Sequence, residues 1–390
     1  MNILFISFDA DPPNMGGTAT VVNILAKYFV SKGHEVFLGY INKSATPSTF
    51  FQHKVFIDKS NESEVENFFI RNRINIVYNV CGQDMDWEFY NRIRGNTKEI
   101  VAYHNRPHIG SWAIESLMSM FYTAKDPLRK LHKLLWILVS PVTNYFHRQK
   151  EKVKFINMYQ YSDKVLLLSE KYLPVYQKLF PHLTLNPNKF IAIHNPLVFN
   201  EKFSILDYNQ KEKRVLVVSN ISYAKRVDLM LSIWSKIEQD STFNDWYFDF
   251  VGESAVLDKY KEKSKSLGIQ RLTFYGKQNP LEYYRRSSVF LMTSRFEGWP
   301  MVLMESMQMG VVPIAYNSFE ALEEIIDDGL SGFIVDNNKE EIFVEKLKRL
   351  LSDDVMRRDM AENAICSCER FNLEIIGKEY EELFLSLCNE

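Results

Sequence analysis

Cysteine is scarce. The four cysteines in 390 residues (Cys81, Cys366, Cys368 and Cys388) show neither the spacing of a metal site nor the density of a disulfide framework. Cys366 and Cys368 read as small packing residues on a helix, and this usage fits a reducing cytosol. Long hydrophobic runs are missing as well. In the middle of the chain "LLWILV" (134–139) falls far short of the roughly 20 residues a spanning helix needs. The opening "MNILFISF" has no basic stretch and no cleavage site, and reads as a buried strand entered directly. Positive charge is not in surplus either. A net charge of −2 argues against general nucleic-acid binding, which needs excess Lys and Arg on the phosphates. No G-x-G-x-x-G follows the first strand, where Gly16-Gly17 stands instead, and this argues against NAD or FAD. The expectation is a cytoplasmic protein, soluble or at most peripheral on the inner face of a membrane.

Apolar side chains, by contrast, are plentiful. At 46% apolar and 14% aromatic, the chain can fill two cores. Strand signals at 3–8, 35–40, 74–80, 99–105, 165–169 and 190–196 alternate with helical patterns such as 18–33. A polar, weakly periodic stretch follows at 197–213, and then further strand signals at 214–220, 247–252, 272–276, 289–294 and 311–316. This pattern predicts an α/β chain of two Rossmann-like domains facing a cleft. The expected domains are 1–196, with a C-terminal helix at 371–390 returning to it, and 214–370, joined by a link at 197–213. In such sheets ligands sit at the carboxyl ends of the strands.

The stretch "EGWPMVLME" places Glu297 and Glu305 around a Gly-Trp-Pro turn. Pro300 is expected to start a helix that runs to about Met309 and stops at Gly310. The first N–H groups of such a helix lack partners and carry positive dipole character, so a phosphate or sugar oxygen can dock there. A carboxylate only accepts hydrogen bonds, and its two oxygens match a vicinal diol. On these residues alone a plainer reading also stands, with Glu297 a helix cap and Glu305 a surface acid.

Extended to "TSRFEGWPMVLMESMQMGVVPIAYNSFEALEEIIDDGLSGFIV", the segment resembles retaining glycosyltransferases of family 4, which have the GT-B fold. The resemblance runs over most of the chain, through Gly16-Gly17, "SKGHEV" (31–36), "HN" (104–105), the linker "NP", "KRVD" (225–228) and "DGLSGFIV" (328–335). It implies a sugar transfer from a nucleotide sugar, UDP-linked in the first instance, to a glycan or lipid-linked acceptor in surface polysaccharide synthesis. It implies that Glu297 contacts the donor sugar, Glu305 the ribose and Lys225 the diphosphate. The N–H groups near Met301, Val302 and Leu303, with Gly298 in the same loop, would cradle sugar and phosphate. Gly16 and Gly17 would border the donor, and His104 the reacting sugar. Where family members carry an arginine this chain has Asn220; Arg226 is the nearby cation, expected to point elsewhere from a helix. The pairs Asp9/Asp11 and Asp84/Asp86 mimic a metal motif, but a helix terminus and Lys225 can supply the charge a metal would bring, so no metal is expected. The alternatives are a catalytically silent GT-B subunit and a nucleotide-sugar 2-epimerase. Segment 125–155 holds eight basic residues against Asp126 and Glu151, a net +6. Leucines at helical spacing make it a candidate contact with an anionic membrane, in a helix expected to end or kink at Pro141.

Overall fold

Every described strand pairs in parallel with its neighbours, so each needs a crossover rather than a tight turn. In this computed structural model residues 1–8, 16–42, 50–104, 106–107 and 127–390 are described. Asp9, Asp11, Asn105, Lys125 and Asp126 lie outside them, as do the side chains of Arg129, Lys130 and Lys133. The chain divides into one unit of Met1–Pro196 with Leu373–Glu390 and another of Leu197–Asn372.

The first unit holds β1 (Asn2–Ser7), β2 (Glu35–Tyr40), β3 (Lys54–Phe56), β4 (Ile76–Asn79), β5 (Lys98–Tyr103), β6 (Lys164–Leu167) and β7 (Phe190–Ala192), in the order β3-β2-β1-β4-β5-β6-β7. Ile3, Leu4, Phe5 and Ile6 are all fully buried, as expected of a strand covered on both faces. The three-residue β3 carries no pattern by which the sequence announces it.

The helix Leu373–Asn389 belongs to this unit and packs on the helix Gly17–Ser31. Phe384 stacks on Phe29 at 4.9 Å, and His34 meets Glu381 at 2.9 Å. A Cβ at Gly377 would sit 2.6 Å from the Tyr28 ring, so only glycine admits the approach.

A helix of 35 residues, Pro127–Tyr161, continues through Pro141, where the sequence predicts an end or a kink. Its far end is anchored in the core. Phe155 stacks against Tyr176 and Phe180 at 4.8 and 4.2 Å. Among the described residues no helix is long and apolar enough to cross a membrane.

The second unit holds β8 (Arg214–Val218), β9 (Tyr247–Val251), β10 (Leu272–Gly276), β11 (Val289–Met292), β12 (Val312–Asn317) and β13 (Phe333–Asp336), ordered β10-β9-β8-β11-β12-β13. β13 escapes the sequence reading because its four residues sit inside a polar, glycine-bearing loop. Residues 197–213, which read as a link, are instead part of this unit. Gln308 donates to the carbonyls of Phe199 and Glu201, and Lys211 donates to those of Tyr284 and Met309. Single side-chain and backbone bonds rather than a ladder hold this segment, so it shows no strand periodicity.

Phe384→Ala should cost the first unit about 3–5 kcal/mol by opening a cavity beside Phe29. Hydrogen exchange at β1 and β4 should accelerate while the second unit stays protected. Equal acceleration in both units would refute this division of stability.

Candidate functional site

β8 and β11 are neighbours at the point where the strand order of the second sheet reverses, the position at which open α/β sheets bind ligands. Three contacts stitch together the loops that leave them. The Arg295 N–H donates to Ala224 O at 2.7 Å, and the Thr293 hydroxyl to Lys225 O at 2.9 Å. Lys225 Nζ donates to Glu297 Oε1 at 2.5 Å. With side chains only 21% and 15% exposed, removing either partner leaves a poorly solvated charge without its counter-ion. Gly252, at the end of β9, permits the arrangement. Its φ is +153°, and a Cβ there would lie 1.8 Å from Ser219 O. The loop that leads to Lys225 therefore rests directly on glycine backbone.

The helix after Glu297 spans Met301–Gln308. Pro300 is its N-cap, with ψ 102°, rather than its first residue. No side chain caps the helix, and its first turn holds no acid. Leu303 is a correction to the expected cradle: its N–H donates to Pro300 O at 3.0 Å as the first turn tightens. The amides of Met301 and Val302 are the ones left without an intrahelical acceptor. Gly298 precedes this turn. Trp299 is buried, with its indole N–H on Met304 Sδ and its ring against Phe371. It fixes the loop from below.

Glu305, just over a turn further on, accepts from the hydroxyl of the fully buried Tyr284 at 2.9 Å. Burial raises its pKa to about 7, and the Tyr284 hydrogen bond partly opposes this. Glu297 and Glu305 thus have separate partners, which excludes the plainer reading of Glu305 as a surface acid.

Asn220 is exposed near the start of the loop from β8. Arg226 does not occupy a helical position. It is the left-handed N-cap (φ 52°) of the helix Val227–Glu238, and its guanidinium is taken up by Asn337 and Asn338 at 2.9 Å each, over the Tyr316 ring. Asp84 and Asp86 have structural partners: Asp84 pairs with Lys154 at 2.8 Å, and Asp86 caps the helix Trp87–Arg94.

Gly16, Gly17 and His104 lie in the first unit, at carboxyl ends of β1 and β5. Gly16 has φ +94°, and a Cβ there would meet nothing within 4 Å, so its conformation, not crowding, calls for glycine. His104 Nε2 is 2.9 Å from Tyr78 OH, which lies 3.4 Å from Tyr380 OH on the C-terminal helix. Burial lowers the His104 pKa to about 4, partly opposed by Asn195, so the ring is neutral near pH 7.

Sequence reasoning missed Tyr284, Thr293 and Gly252, along with the buried, unpartnered hydroxyls of Ser294 and Ser318 just past β11 and β12. Only Gly252, ending "DFVG", left a readable signal. A cavity of about 860 Å³ lined by Lys202, Phe203, Gln278, Tyr283 and Arg285 includes none of the residues above. Its cations are already paired, Arg285 with Glu201 and Glu282, Lys202 with Glu369 and Arg286 with Asp249.

Residues 198–366 match the family model Glycosyl transferases group 1. Amylovoran biosynthesis glycosyltransferase AmsD of Erwinia amylovora is 29% identical over 178 residues, 45% of this chain and 49% of AmsD. GalNAc-alpha-(1->4)-GalNAc-alpha-(1->3)-diNAcBac-PP-undecaprenol alpha-1,4-N-acetyl-D-galactosaminyltransferase of Campylobacter jejuni is 26% identical over 196 residues, 50% of this chain and 54% of that protein. The chain spans about half the length of these curated relatives it matches. Among solved structures, TarM of S. aureus gives a TM-score of 0.73 at 12% identity, covering 98% of this chain and 100% of TarM. HepE of Anabaena, in complex with UDP-glucose, gives 0.71 at 14% identity, covering 99% and 100%. These likenesses carry the fold, which is GT-B. The match to the glycosyl transferases group 1 model falls within the second unit.

Because the Glu305 pKa rises from 4.5 to about 7 on folding, its contribution to stability is full below pH 4.5 and is lost as pH rises through 7. The Glu305 carboxyl resonance should titrate near pH 7. Tyr284→Phe removes a donor to the carboxylate and should move that midpoint upward. A midpoint that stays put would refute the assigned contact.

Proposed function

We propose that the protein transfers a sugar from a nucleoside-diphosphate sugar, a UDP-sugar in the first instance, to a hydroxyl of a glycan or lipid-linked glycan, with retained anomeric configuration. The observation that carries this reading is the Lys225–Glu297 contact beside the uncapped start of the helix Met301–Gln308. It sets a cation and free amides next to an acceptor of sugar hydroxyls. The match to the glycosyl transferases group 1 model, and the similarity to an amylovoran biosynthesis glycosyltransferase and to an N-acetylgalactosaminyltransferase named for a PP-undecaprenol substrate, support it.

In this reading the C1–O bond to the β-phosphate breaks, and a bond from C1 to the acceptor oxygen forms on the same face. The acceptor proton passes to the departing phosphate oxygen. Lys225 and the amides of Met301 and Val302 stabilise the charge that develops on the diphosphate. Removing one such donor from a site costs about 10²–10³ in rate. Glu297 holds the sugar and Glu305 the ribose diol, and no metal is required. The first unit, with His104 and Gly16-Gly17, serves the acceptor and the reacting sugar. A catalytically silent subunit is the second reading, and Asn220 in place of an arginine favours it.

Glu305→Ala should weaken UDP binding, whereas Glu297→Gln should leave UDP bound and cut turnover. Free UDP should appear only when acceptor is present, and should do so in EDTA. A silent subunit releases none, and a 2-epimerase gives an epimeric nucleotide sugar and no glycoside whether or not acceptor is present. Unchanged UDP affinity in Glu305→Ala would overturn the assignment of the two acids.

We also assign the helix Pro127–Tyr161 to contact with an anionic membrane surface. Val142, Tyr145, Phe146 and Val153 are 56–65% exposed on it, beside Arg148, Lys150 and Lys152. Each basic residue near such a surface contributes about 1 kcal/mol. The protein should pellet with anionic vesicles in low salt, and a variant with Tyr145→Ser, Phe146→Ser and Lys150→Glu should not. Equal pelleting of the two, or none by either, would leave the segment without that role.

A further inference from the structure

The site contains a cation with no role in the mechanism above. Arg295 lies between Thr293 and Glu297, and its backbone N–H is fixed to Ala224 O at 2.7 Å. Its guanidinium lies over the Tyr223 ring, 4.3 Å from the centroid, on the same turn that carries Lys225. The side chain is exposed, and it makes no ion pair among the described residues. Arg226, whose charge is disfavoured first by burial and then by Arg295 nearby, is occupied with Asn337 and Asn338. Lys225, already assigned to the diphosphate, has part of its charge met by Glu297.

Three cations therefore meet on two stitched loops. Of these, only Arg295 lacks a polar side-chain partner among the described residues. A guanidinium laid on an aromatic face loses little further freedom when it binds, and its planar fork suits phosphate oxygens better than an ammonium does. Its like-charged neighbours make an anion the ligand that relieves the cluster. We infer that Arg295 binds the diphosphate of the donor, taking the part for which position 220 offers only a neutral asparagine. The inference rests on the nucleotide-sugar reading and adds to it a residue outside the glutamate pair.

The test is calorimetric titration with UDP, GDP, ADP and dTDP, then with the monophosphate of whichever binds most tightly. Wild type, Arg295→Gln and the double variant Arg295→Gln/Asn220→Arg are compared, each with its melting temperature measured. Loss of one charge-assisted contact should weaken the diphosphate about tenfold in Arg295→Gln, change the monophosphate less than about twofold, and flatten the salt dependence. The double variant should recover much of the loss. Equal affinity in wild type and Arg295→Gln, or equal loss for mono- and diphosphate, overturns the assignment. Wild-type protein that binds none of the four diphosphates overturns the nucleotide-sugar reading itself, and this inference with it.

Discussion

Parallel pairing is the constraint on which the rest of this molecule depends. A parallel strand cannot be reached by a hairpin, so each connection crosses a face of the sheet and returns to the same edge. All loops that follow strands then gather along one edge of each sheet. Where the order of strands reverses, two neighbouring loops diverge and leave backbone open between them. In the second sheet those loops follow β8 and β11, and they bring Lys225 to Glu297 although 72 residues separate them. The chemistry of the site follows from topology first and from side chains second.

The ion pair also shows how such a site stays poised. Lys225 and Glu297 satisfy each other, the turn before Lys225 is seated on Gly252, and Trp299 is wedged under the helix start. A preformed arrangement spends little on reorganisation when a ligand arrives. Glu305 is held differently. Tyr284 grips one oxygen from a neighbouring helix, and burial leaves the group close to half-protonated at neutral pH.

Much of this was legible in the sequence where one residue type has one physical use. Glu297, Pro300, Glu305 and Gly310 mark a loop, a helix start and a helix stop within a residue of their positions, and most strands stand out as apolar runs. Legibility fails where a contact depends on the fold alone. Tyr284 in "EYYRR" carries no mark of a residue aimed at Glu305. Arg226 reads as helical, whereas it takes a left-handed cap that sequence does not announce. Residues 197–213 look like a link because their bonds run singly to distant partners, from Gln308 to Phe199 and Glu201 and from Lys211 to Tyr284 and Met309, which leave no period. The amide of Leu303 is expected to be free, and a slight tightening of one turn consumes it.

The helix Leu373–Asn389 has a consequence for biosynthesis. It closes the first unit, yet it is made after the whole of the second. Until it emerges from the ribosome, Tyr28, Phe29 and Tyr78 lack the cover of Gly377, Tyr380 and Phe384. The second unit, contiguous from Leu197 to Asn372, can complete its core first. The order in which the two cores can be completed therefore runs against the order in which the units begin in the chain. A chain ending at Asn372 would present the second unit joined to an open apolar face on the first, a species for chaperones to shield.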